Sequence, residues 1–251
     1  MTPERVIDAL GLPRDAVQPR RVPKKTLSEN VTASSDRRVV TEGVEELTWI
    51  AAIKPSNCGI SGFTDGERTY EELAVLSVSV RPEGKVDRLM ELVHRAIPYP
   101  VVLVCERAPR LCLSLAHKRW SQAKAGSWVL DSDLTVAELG EGAPPTVVED
   151  FLRALALARQ PPESLWTVYE GWMEAVVAYQ AAQVTGVFGR AATVGDAQAR
   201  REALEACTRL EAEMKALQTA AKGETQVRRL VDLNMKLKQL KAEHAAARKR
   251  L

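Results

Sequence analysis

From about Asp196 to Leu251 the apolar residues recur in heptads, a pattern that suits helices packed lengthwise on one another. Cys207, Met214 and Ala221 fall every seventh residue, with Leu210 and Leu217 between them. Leu230, Leu237, His244 and Leu251 repeat the pattern with Leu233, Leu240 and Ala247. The two ladders are out of phase, and Gly223, Glu224 and Thr225 stand at their junction. Gly favours a helix end, so the chain is expected to reverse there into a helical hairpin over 196–251 rather than shift register. Neither stripe carries a catalytic side chain, which points to protein contact. Leu230, Leu233, Leu237 and Leu240 are the expected partner interface.

The remaining 195 or so residues must form their own core, and at 45% hydrophobic and 27% charged the chain has the composition of a globular protein. No apolar run reaches the length that spans a bilayer, and Glu4 and Asp8 break the basic-then-apolar order of a signal peptide. A cytoplasmic protein without membrane contact is expected. Cys58, Cys105, Cys112 and Cys207 include no C-x-x-C pair and have no His at ligand spacing. They are read as buried or bystander thiols, with neither a zinc site nor a disulfide framework.

The net charge of +2 conceals a segregation. Residues 1–40 hold eight Lys/Arg against five Asp/Glu, and residues 224–251 hold eight against three, so the body between is acidic. Near the start, Pro13, Pro19 and Pro23 surround Arg20, Arg21, Lys24 and Lys25, and prolines hold such a segment extended. These four cations are candidate phosphate contacts, as are Lys118 and Arg119 at a strand end. The alternative is a solvated arm and, at the C-terminus, the solvated face of a coiled coil.

Periodicity places the elements. A short helix begins at Thr2 and ends at Gly11, and a longer one is expected from Ser28 through Leu47. Leu47–Lys54 reads as a buried helix end or a strand, and Cys58–Thr69 as a loop. Leu73–Val80 is β-branched and alternating, Lys85–Ile97 has one apolar helical face, and Val101–Cys105 is a central strand. Leu111–His117 and Ser127–Leu130 complete a sheet. Beyond Gly140 the chain becomes helical over 147–159 and from Ser164 to about Val184. The expected class is α+β: a small mixed sheet domain with packed helices over 1–139, then a helical extension over 146–190 and the hairpin.

Catalytic patterns are sparse. A metal-dependent nuclease needs an acid on one strand and Glu/Asp-x-Lys on the next. Glu106 and Lys118 are the nearest approach, and no predicted strand holds that triplet. His117 alternates with Leu113 and Leu115 and reads as a packing histidine, as do His94 and His244. Gly59-Ile60-Ser61-Gly62 is not a nucleophile elbow, and no phosphate-cradling or dinucleotide-binding glycine motif occurs. No cofactor and no catalytic residue are assigned.

Several pieces occur in a recognisable order: Arg21-Val22-Pro23-Lys24-Lys25, Trp49 with Lys54-Pro55, Ile97-Pro98-Tyr99-Pro100 leading into Val101–Val104, Ala116-His117-Lys118-Arg119, and Leu233-Asn234-Met235-Lys236-Leu237-Lys238-Gln239-Leu240-Lys241. Together they resemble a bacterial domain-of-unknown-function family, DUF4391, over nearly the whole chain. The resemblance implies genes encoded beside Swi/Snf-type helicases and adenine-specific DNA methyltransferases in loci that look like restriction or phage-defence systems. The expected function is a non-catalytic accessory subunit of such a DNA-processing complex, docking through its C-terminal helices on a helicase, a methyltransferase or a second copy. The alternatives are a nucleic-acid-binding protein that uses its basic ends and a divergent nuclease.

Overall fold

In the computed structural model, which describes residues 1–31, 33–122, 126–140 and 142–251 and only the backbone of Val194, the chain forms two compact units, Met1–Val176 and Val177–Leu251. The first unit opens with α1 (Pro3–Ala9), whose amides are capped by Thr2, and β1 (Val17–Arg21). Then come α2 (Lys24–Glu29), α3 (Ser34–Gly43), β2 (Val44–Ile53) and the single turn α4 (Pro55–Cys58). The two-residue strands β3 (Phe63–Thr64) and β4 (Thr69–Tyr70) pair with each other. β5 (Leu73–Val80), α5 (Val86–Ala96), β6 (Val101–Arg107) and β7 (Arg110–Leu115) follow. The unit ends with β8 (Lys118–Trp120), β9 (Trp128–Leu130), β10 (Thr135–Glu138), α6 (Pro145–Ala154) and the start of α7 (Leu165–Thr185).

The main sheet runs β1-β2-β5-β6-β7-β10. Its centre is the parallel pair β5 and β6, with Leu76 opposite Leu103, and α5 is the crossover between them. Parallel strands require such a crossover and are covered on both faces, which is why Val101–Cys105 could be an unbroken apolar run. The other neighbours are antiparallel, and β6 turns into β7 through the cis peptide Ala108–Pro109. On one face Leu27, Val40, Leu47, Leu76, Leu89, Met90, Val93 and Leu103 share a core. The unit is α+β with a mixed sheet, as the order of its elements implied.

Local readings change where tertiary pairing outweighs local pattern. The helix expected from Ser28 through Leu47 is instead α2, α3 and the first residues of β2, and Thr32 lies outside the described residues. Val44 already faces Val80 across the β2–β5 ladder, and ladder hydrogen bonds with a buried strand outweigh a weak helical preference. The supposed loop Cys58–Thr69 holds the β3 strand and meets β4. The strand expected to reach His117 stops at Leu115; Lys118–Trp120 starts a separate ladder with β9. β10 was not foreseen and pairs Thr135 with Leu115. Close packing governs the sharp turn after β5: a Cβ on Gly84 would stand 2.4 Å from Val80 Cγ1 and 3.0 Å from Gly43 O.

In the second unit α8 (Val194–Gly223) and α9 (Val227–Arg248) are joined through Glu224–Gln226. Thr193 and Asp196 exchange side-chain bonds with each other's amides to cap α8. The chain does reverse: His244 Nε2 is 2.9 Å from Glu211 Oε1 and Arg250 lies 3.8 Å from Glu202, an antiparallel register. Cys207, Leu210, Leu240 and Ala247 form the seam, with Met214, Leu217 and Leu251 packed partly against it.

Candidate functional site

β1 is the edge of the sheet, and all five of its residues are exposed. Pro19 and a register irregularity between Val17 and Arg20 interrupt its ladder, so the strand is a poor template for another strand and instead displays side chains. Arg20 sits opposite Trp49, with its guanidinium 5.1 Å from the indole centroid. Tyr99 meets the same indole edge-on at 6.3 Å and is 39% exposed. Lys54, beside Arg20, pairs with Glu72 at 2.9 Å, and that carboxylate holds its amine above the usual lysine range. A second group gathers around Lys24, whose amine is lowered by partial burial and then by the cations of Arg81 and Arg21. Arg81 is held by a 3.1 Å bond to the Glu42 carbonyl. Among the described residues, no ion pair joins Arg20, Arg21, Lys24 or Arg81 to a carboxylate within 4.0 Å; Lys25 lies 3.7 Å from Glu29.

Lys118 is a correction. Expected at the surface, it is 2% exposed, and its ammonium donates to the carbonyls of Ile97 and Tyr99. Burial pushes its amine down to about 7. Its neighbour Arg119 is 2.9 Å from Asp131, which Arg68 also holds at 2.7 Å. Neither side chain is free to lie along phosphates. Lys118 reaches the start of β6, whereas Glu106 lies five residues beyond Val101, about 17 Å along the strand. The two residues expected to mark a nuclease centre therefore do not meet.

His117 does face inward. Its Nδ1 is 2.6 Å from the Tyr70 hydroxyl, and Trp166 stacks on it with centroids 4.5 Å apart. Nε2 is 2.7 Å from Glu170 Oε1, an ion-pair contact whose direction is not that of an aligned hydrogen bond. Tyr169 accepts from Ala116 N at 2.9 Å and donates to Val101 O at 2.7 Å. Tyr70 and Tyr169 are fully buried, and desolvation raises both phenols. With Tyr70 sealed in the core, the Glu170–His117–Tyr70 chain fastens the first turns of α7 to the sheet. A groove of about 760 Å³ between α5 and residues 130–134 is lined by Asp87, Arg88, Glu91, Arg95 and Asp131. Arg95 pairs with Glu91 at 2.6 Å and Arg88 with Asp36, outside the lining, at 2.6 Å, while Asp133 also lines it.

The hairpin presents a different surface. Leu240 is buried in the seam, and Leu230, Leu233 and Leu237, half-buried, share its side of α9. On the opposite side, four residues apart, Val227, Val231 and Met235 are 76%, 51% and 67% exposed. The helix has two apolar faces, of which α8 covers one.

A model of the family described as domain of unknown function (DUF4391) matches residues 10–243. The chain belongs to that family. No curated protein and no solved structure matches it. Within this DUF4391 chain Arg20 and Arg21 lie on the edge strand β1, but the segment expected to stay extended turns helical after Pro23, so Lys24 and Lys25 open α2; Lys118 is buried and Arg119 is paired with Asp131. Sequence reasoning missed Arg81, Lys54, Trp49 and Tyr99 as neighbours of that edge, because strand pairing brings them from three separate segments. On α9 the expected interface residue Leu240 is buried in the seam with Leu230, Leu233 and Leu237 half-buried beside it, and the spacing of Val227, Val231 and Met235 was the sequence signal for the exposed side.

Proposed function

We propose that this DUF4391 chain is a non-catalytic accessory subunit that docks on a protein partner through the outer face of its C-terminal hairpin. The observation that carries the reading is the exposure of Val227, Val231 and Met235 on one side of α9, opposite the side that packs on α8. Large apolar side chains aligned at helical spacing and left in water mark a contact surface, and helices commonly bind through such i, i+4 anchors. The partner proposed is a helicase or adenine-specific DNA methyltransferase of a restriction-like or phage-defence system, the association that the family resemblance implies.

The test is affinity purification of the tagged chain from its native host. Recovery of a helicase or methyltransferase subunit with the wild-type chain, and its loss with Val231→Glu plus Met235→Glu, is the expected result. Equal recovery with the double variant, or recovery of neither enzyme by the wild-type chain, would overturn the reading.

A further inference from the structure

The first unit carries a charged surface of its own around β1. Several cations of the first unit are paired with a carboxylate, as Arg68 is with Asp131, Arg88 with Asp36 and Arg110 with Asp87. Around β1, four cations stand together without such a pair among the described residues. Burial lowers the Lys24 amine, Arg81 and Arg21 nearby add to that lowering against a weaker pull from Glu45, and Arg20 lies over Trp49, whose ring meets Tyr99. Like charges gathered with no carboxylate in contact raise the energy of the free protein, and an arriving anion relieves it.

We infer that this edge binds single-stranded nucleic acid, with Arg20, Arg21, Lys24 and Arg81 on phosphates and Tyr99 against a base. Guanidinium groups suit phosphate because their planar donors engage two oxygens at once. Arg20 and Arg21 lie on β1, Lys24 opens α2 and Arg81 follows β5, so the cations gather at one sheet edge from three segments. Tyr99 offers an exposed ring beside them, held from behind by Trp49 and by the bond from Lys118 to its carbonyl. Base stacking on an exposed aromatic beside a basic track is how single strands are bound without sequence preference. An acidic polypeptide offers no bases for the ring to stack on.

Fluorescence anisotropy of a labelled oligothymidylate tests the inference on the full chain. Affinity is expected to fall with salt along a log–log slope of about −3, at about 0.7 per phosphate for four contacts. Arg21→Gln with Arg81→Gln should reduce that slope by about 1.4. Tyr99→Ala should weaken binding about tenfold and leave the slope unchanged. Lys238→Gln with Lys241→Gln on the hairpin should alter nothing. Thermal melts of each variant separate lost contacts from lost folding. No binding at low salt, a slope unmoved by the arginine variants, or tighter binding to the matching duplex or to polyglutamate would overturn the inference.

Discussion

The Lys118 ammonium donates to the carbonyl oxygen of Tyr99 at 2.6 Å from a side chain that is 2% exposed. A surface cation in the sequence is thus an internal strut. It holds the Ile97–Tyr99 connection between α5 and β6, and through it the one exposed ring of the basic edge.

That burial makes stability depend on pH. The Lys118 amine sits at about 7 in the folded chain, against about 10.4 when unfolded. Between these values the unfolded chain binds more protons, so this residue makes stability rise with pH from 7 toward 10, by up to about 1.4 kcal/mol per pH unit. Below 7 its contribution is flat. Urea unfolding at neutral and alkaline pH should show this slope in the wild-type chain and lose it in Lys118→Met; the same slope in both would refute the assignment.

His94 gives a separate, acidic window. It is fully buried, with Nε2 3.0 Å from Ser114 Oγ, and burial followed by the nearby Lys118 lowers its imidazole to about 3. The unfolded imidazole titrates near 6.5, so below that pH the unfolded chain gains the proton first and stability falls until about pH 3. The His94 ring signals in NMR should stay those of the neutral imidazole throughout pH 5–8. Titration near 6.5 would contradict the fold around it.

Tyr169→Phe should destabilise the first unit by about 1–3 kcal/mol. The hydroxyl satisfies Ala116 N and Val101 O in the core, and its removal leaves a buried amide without that partner. The shift in the unfolding midpoint, read from Trp fluorescence, checks the magnitude.

The two sides of α9 should respond differently. Leu240→Ala removes a buried seam side chain and should cost about 2–5 kcal/mol of hairpin stability, whereas Val231→Ser, on the open side, should stay within about 0.5 kcal/mol. Hydrogen exchange of α8 and α9 amides reads each locally. A greater loss of protection in Val231→Ser than in Leu240→Ala would show that the two faces had been exchanged.

Periodicity alone was enough for the heptad hairpin, the buried strand at Val101–Cys105 and the amphipathic α5. These patterns follow from 3.6-residue and two-residue repeats and need no knowledge of neighbours. It failed at Val44–Leu47, where β5 converts an expected helix end into strand, and at Lys118, whose depth depends on carbonyls delivered by another segment. The heptads likewise named the apolar stripe of α9 but not what covers it. Only the packed chain decides that, because burial belongs to the surface brought opposite a residue and not to the residue's own place in the sequence.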